Sequence, residues 1–330
     1  MEHKTNLYTL NALLTMRLPK PESLINGLLF SDETVLFIAR QKEGKSMLML
    51  QLCLDVAAGK PFLGRYQCSK QKVFYIDYEN RPYRLQQRVL GLLNGEQPPD
   101  DLCFYALNNL SDRDLSLGLD DNFDRLYSQV QELKPGLLVI DPLRYASDGE
   151  LDEKHSLEIV ERVAQLKRDN PAMAVVLVHH LRKSGDSTSA RLKLDPRSWV
   201  DKVYGSQALL AHVEAIWGME KDDDGYTFAT VPRSQAVLNL RLSKNAESEQ
   251  FVFDGETRQE LTPAEQEAWK KLPNSFTWTE GLKSVSNSTL GRTVRKTREN
   301  GMLFQDPETK QYRKLLDVLG DRENPTNMVM

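Results

Sequence analysis

The sequence predicts an α/β fold built on a mostly parallel sheet flanked by helices, and three observations carry that expectation. Short, wholly apolar runs recur: Val35-Leu36-Phe37-Ile38, Val73-Phe74-Tyr75-Ile76, Leu137-Leu138-Val139-Ile140 and Ala174-Val175-Val176-Leu177-Val178. Each run ends at polar or small residues, as buried parallel strands do when helices cover both faces of their sheet. Between the runs lie longer stretches of helical periodicity, at about 45–58, 81–92, 121–133 and 155–168, so strand and helix alternate in the order that builds an open sheet.

Taken in order, residues 1–30 mix polar and apolar positions with Pro19 and Pro21 and form an N-terminal extension feeding the first strand. The alternating strand–helix region follows. From 226 to 254 the pattern changes to alternating apolar positions (Tyr226, Phe228; Leu238, Leu240, Leu242; Phe251, Phe253), which predicts antiparallel strands at one edge. The first large domain is therefore placed at 31–258. After Thr262-Pro263 come a short helix, then helices near 278–285 and 288–300 separated by Ser286-Asn287, with Gly301 as the stop. A strand, an Asp306-Pro307 turn and a second strand complete a small winged-helix domain over 262–320, and 321–330 is expected to fray.

The chain has 330 residues, of which 40% are hydrophobic and 27% charged, the profile of an ordinary globular protein of about two domains. A net charge of -4 excludes a protein that is basic throughout, so any nucleic-acid contact must come from local patches. Cys53, Cys68 and Cys103 show no metal-ligand spacing and are expected to be reduced, buried thiols. No signal-peptide core and no membrane-length apolar run is apparent, so the expected location is cytoplasmic.

The stretch IARQKEGKSMLMLQL nearly contains a phosphate-binding loop. Gly44-Lys45-Ser46 fit the pattern, but Ala39 stands where the first glycine belongs. Alanine suffices there if its backbone does not need positive φ, whereas Gly44 is the glycine expected to be indispensable. The loop set is Ala39, Lys42, Glu43, Gly44, Lys45, Ser46 and Met47, with Lys45 reaching the β- and γ-phosphates of ATP and Ser46 holding Mg²⁺. Asp141, after four apolar residues, supplies the second metal-side carboxylate. Glu79, just past the strand 73–76, and its competitor Asp77 are further carboxylates at a strand end. His179 and His180 end the next strand and could sense the γ-phosphate. They could equally be core or metal ligands, although no further Cys or His is placed to complete a metal set.

The ordered runs GKSMLMLQLCLDVAAGKPFLG, VFYIDYENRPYRLQQR, LLVIDPLR, VLVHHLRKSG and YGSQAL together resemble the RecA-like ATPase family that includes the plasmid RepA hexameric helicase, over roughly 25–255. Lys42 matches that family's loop style, while Ala39 departs from it. The resemblance implies a homo-oligomeric ring, hexameric in RepA, that hydrolyses ATP at subunit interfaces. It assigns Lys45 and Ser46 to the phosphate loop, Asp141 to the metal-side acid, Glu79 to the catalytic acid and His179 or His180 to the sensor. Arg241, in RLSKNAES with Lys244, resembles the arginine such families send into a neighbour's site, with Arg233 and Arg197 as alternatives.

Two basic patches could touch nucleic acid. The long polar stretch after the His pair holds Lys183, Arg191, Lys193 and Arg197, either a solvated loop or a channel-facing track for single-stranded DNA. The second proposed winged-helix helix gathers Arg292, Arg295, Lys296 and Arg298, suited to duplex DNA, or else to protein docking. The expected function is an ATP-driven DNA helicase or translocase for replication of a mobile element. The alternatives are an ATP-switched DNA-binding assembly factor and, last, a small-molecule P-loop kinase.

Overall fold

The computed structural model describes residues 7–18, 20–108, 114–147, 153–181, 192–200, 207–223, 225–233, 236–256, 261–299 and 302–315. The N-terminal segment carries α1 (Leu10–Thr15), none of whose side chains is buried, and a small hairpin of β1 (Ser23–Ile25) and β2 (Leu29–Phe30). Leu24, Ile25, Leu28 and Leu29 sink into the main core, so the end of the expected extension is part of the large domain.

The alternating region then runs β3 (Thr34–Ala39), α2 (Lys45–Ala58), β4 (Val73–Asp77), α3 (Pro82–Leu93), β5 (Leu102–Ala106), α4 (Asp120–Leu133), β6 (Leu137–Asp141), α5 (Leu143–Ala146), α6 (Glu153–Asp169) and β7 (Ala174–His180). Two short helices follow, α7 (Pro196–Val200) and α8 (Gln207–His212), then β8 (Ala215–Asp222), β9 (Gly225–Pro232), β10 (Leu238–Lys244) and β11 (Phe251–Glu256). Among the described residues nine strands form the main sheet, ordered β11-β10-β9-β8-β3-β7-β6-β4-β5. The strands from β8 through β5 in that order are parallel, and β9, β10 and β11 extend the sheet antiparallel.

Alternation along the strands explains the layers. Val35, Phe37 and Ala39 face one cluster, with α2 and Leu85 of α3, while Leu36 and Ile38 face the other, with residues of α4 and α6. Helix α2 is buried nearly all round, which its leucine- and methionine-rich sequence allows. Helices α3, α4 and α6 each bury a single stripe. The expected α/β class with antiparallel edge strands is therefore what the chain forms. The sequence reading omitted β5, whose residues are all at least partly exposed, and β8, whose apolar run is short and interrupted by Gly218.

Beyond 261 come α9 (Pro263–Lys271), β12 (Ser275–Phe276), α10 (Trp278–Leu282), α11 (Asn287–Glu299), β13 (Leu303–Gln305) and β14 (Tyr312–Lys314). Thr262 and Thr277 start their helices with reciprocal capping boxes to Glu265 and Glu280. The three strands pair antiparallel around a separate core of Leu272, Phe276, Leu290, Val294, Leu303 and Tyr312. Gly301 and the segment 316–330 lie outside the described residues. Among the described residues no helix is long and apolar enough to cross a membrane.

Candidate active site

Strand register brings the chemistry together. Ala39 of β3 lies opposite His180 of β7, and Asp77 of β4 lies opposite Asp141 of β6, so four candidate positions share the carboxyl end of the parallel sheet. The loop from β3 to α2 closes above them. Ala39 is a regular strand residue and has no positive φ, which removes the need for glycine; the left-handed positions are Lys42 (φ 66°) and Gly44 (φ 89°). A Cβ on Gly44 would come 2.8 Å from the Phe251 ring, so both its backbone and its lack of a side chain are used. Glu43 tightens the loop by accepting from the Arg40 amide at 2.9 Å.

Gly44 is the N-cap of α2 and offers no side-chain cap, which leaves the first amides of the helix, at Lys45, Ser46 and Met47, without intrahelical acceptors. The Met47 side chain itself is core. Lys45 is 4% exposed, and its ammonium donates to the carbonyls of Ala39 (2.8 Å) and Arg40 (2.6 Å). Burial lowers its pKa to about 8, against the opposing pull of Asp141, Glu43 and Glu79. A buried ammonium met by neutral carbonyls, beside open helix-start amides, fits a phosphate.

Asp141 is sealed by the sheet, and burial raises its carboxyl, countered by the hydrogen bond from Tyr75 and by the neighbouring Ser46 hydroxyl. A hydroxyl and one carboxylate are hard oxygen donors that suit Mg²⁺ completed by phosphate oxygens and water. Among the described residues no group of three His, Cys, Asp or Glu could hold a metal ion.

The two carboxylates at the end of β4 divide their work. Asp77 is 1% exposed and accepts from the amides of Glu79 (2.9 Å) and Asn80 (2.8 Å) and from the Asn80 side chain, so it holds the turn. Burial and then Asp141 push its pKa to about 6. Glu79 projects from that turn and meets His180 Nε2 at 3.3 Å, a contact that, with Lys45 and Arg88 nearby, keeps its carboxyl below the usual range despite partial burial. Of the two histidines, His180 is the one this pairing selects; His179 points to the opposite face of β7.

The remaining candidates fall elsewhere. Arg241 makes a bidentate pair with Asp222 of its own chain at 2.8 and 2.7 Å, and Lys193 stands 4.0 Å from the same carboxylate. Arg233 donates to the Ala211 carbonyl, and Arg197 sits half-buried on α7. Leu192 and Trp199 press α7 and its approach against Gly218 of β8, where any Cβ would clash. Lys183 and Arg191 lie outside the described residues.

The expectation of a free cationic row on α11 needs correction. Arg292 faces Glu265 at 3.4 Å, Arg295 donates to both oxygens of Asp195 at 3.3 Å, and Lys296 is 1% exposed with Glu265 at 2.9 Å and Asp195 at 3.9 Å. Arg298, the fourth, is exposed. The helix turns inward because Glu265 of α9 and Asp195 before α7, both buried, have to be neutralised.

Two contributors were not foreseen. Gln51 of α2 bonds the Phe251 backbone at both ends, donating to its carbonyl (2.9 Å) and accepting from its amide (2.7 Å). Tyr75 donates its hydroxyl to Asp141. A lone hydroxyl in an otherwise apolar run was the available signal for the second; the first, a pairing across 200 residues, had none.

A family model described as an AAA domain matches residues 3–186. A KaiC-like protein from the hyperthermophilic archaeon Pyrococcus horikoshii OT3 is similar in structure, at 12% identity and a TM-score of 0.44, over 70% of this chain and 93% of its own. No curated protein matches the chain. Since the match spans more than half of the sequence and contains the phosphate loop, Glu79 and Asp141, the chain belongs to the AAA domain family and is a P-loop ATPase.

Proposed function

We propose that the chain is an ATP-driven motor on single-stranded DNA, a helicase or translocase acting as a homo-oligomeric, hexameric ring. The observation that carries this reading is the Glu79–His180 contact. Glu79 would prepare the attacking water, and His180 ends the strand that leads directly into the basic stretch with Lys183, Arg191, Lys193 and Arg197. A change at the γ-phosphate would alter the Glu79–His180 pair and so reach the segment that holds DNA. Lys45 and the α2 amides would hold the phosphates, and Ser46 and Asp141 the Mg²⁺, which supplies charge neutralisation for phosphoryl transfer. In a ring, Arg241 would have to leave Asp222 before serving a neighbour's site.

The C-terminal unit has the helix, strand, helix, helix, strand, strand order of a winged helix. The inward pairing of Arg292, Arg295 and Lys296 favours protein docking over duplex reading, with its own ATPase domain as the first partner.

The test is ATP turnover of the full chain with and without single-stranded DNA, beside Glu79→Gln. DNA should raise the wild-type rate. Glu79→Gln should lose about 10²–10⁴-fold in turnover while still binding ATP. A wild-type rate indifferent to DNA would remove the motor, and oligomer formation with DNA binding but no strand displacement would leave the assembly-factor reading.

A further inference from the structure

The sealed layer beneath the Ser46–Asp141 pair contains one polar intruder. Tyr75 has no exposed surface, its ring lies edge-on to Phe104 with centroids 5.8 Å apart, and its surroundings include Cys53, Val139 and Val176. Phenylalanine would suit this layer, and a hydroxyl in it costs stability unless bonded. The bond it makes is to Asp141 Oδ2 at 2.5 Å. Register explains the reach: Tyr75 is opposite Val139 and Asp77 opposite Asp141, so Tyr75 approaches Asp141 diagonally on the same face, from the side away from the phosphate loop.

We infer that Tyr75 is a positioning residue for the nucleotide-bound divalent cation, its hydroxyl holding one oxygen of Asp141 so that the carboxylate stays turned to Ser46. This rests on the reading of Lys45, Ser46 and Asp141 as the Mg²⁺-nucleotide site. The argument is a division of partners. Asp141 is the strongest charged neighbour of Lys45, yet the ammonium bonds two carbonyls while the carboxylate takes the Tyr75 hydroxyl, with Ser46 on its other side. A carboxylate released from below is free to rotate, and each turn away from Ser46 removes the metal-side anion while the Lys45 ammonium stays on its two carbonyls.

Calorimetric titration of the full chain with ADP, in chelator and in Mg²⁺, tests this with Tyr75→Phe. ADP affinity in chelator should match wild type within about twofold, which also reports the fold. The tightening that Mg²⁺ gives should shrink by about 10-fold, in the range for groups that orient metal-side ligands. In turnover the Mg²⁺ requirement should rise by a similar factor, with kcat recovering at high Mg²⁺. An unchanged Mg²⁺ effect in Tyr75→Phe overturns the inference. Wild-type protein that binds no ADP under either condition overturns the site reading instead. If Tyr75→Phe does not fold, a fluorotyrosine at 75, of nearly the same shape and with a stronger donor, carries the test. An unaltered Mg²⁺ effect there is equally fatal.

Discussion

Lys45 and Lys296 are both almost sealed from water, at 4% and 1% exposure, and the protein meets their charges in opposite ways. Lys296 has Glu265 at 2.9 Å and Asp195 at 3.9 Å, and Glu265 is further held by the Thr262 amide at 2.9 Å. Its charge is answered inside the chain. Lys45 has two carbonyls, with the nearby carboxylates engaged by other groups. The difference teaches how to separate a buried cation that secures a fold from one that serves a ligand: the first has an acid of its own, and the second has dipoles and an unmet charge.

The sharpest way to break this contrast is Lys45→Ala. ATP turnover should fall about 10³-fold, as for loss of a group that stabilises transition-state charge, while the melting temperature should not drop. A clear loss of thermal stability would show that Lys45 is structural after all. Lys296→Met should do the reverse. It leaves Glu265 buried without its main partner and should destabilise the C-terminal unit by about 3 kcal/mol, read by denaturant unfolding, with ADP affinity unchanged.

Proton linkage sharpens the Lys45 side. In the free protein Lys45 titrates at about 8, below its ordinary 10.5, because burial disfavours its charge. Between those values the unfolded chain holds more protons, so this group's penalty on folding is full below pH 8 and relieved as pH rises toward 10.5. Bound phosphate restores the charge. Nucleotide binding should therefore take up a fraction of a proton at pH 8.5 to 9 and almost none from Lys45 at pH 6.5, measured by calorimetry in buffers of different ionisation enthalpy. The smallest effect belongs to Arg295→Ala, whose guanidinium is 37% exposed: about 0–1 kcal/mol of stability.

The parallel strands and helices α2, α3, α4 and α6 were legible because burial on both sheet faces forces long apolar runs and strict helical stripes. Expected and observed limits of α2 coincide at 45–58. Lys45, Ser46, Glu79, Asp141 and His180 were legible as well, since loop chemistry and strand ends are local features. What stayed hidden depends on distant pairing. Nothing near Arg295 announces Asp195, and nothing near Arg241 distinguishes a free guanidinium from one clamped by Asp222. Residue type gave the cations, and tertiary structure decided which of them remained available. The exposed edge β5 and the hairpin of β1 and β2 were missed because short strands with mixed burial lack a clear period.

Gln51 and Phe251 carry a mechanical consequence. The paired hydrogen bonds fasten the start of β11 to α2, and the Phe251 ring abuts Gly44, so the outermost strand of a wide sheet serves as a wedge beneath the phosphate cradle. The turn between β10 and β11 is the handle of that wedge. Any body leaning on residues 245–249 therefore also bears on the grip around the triphosphate.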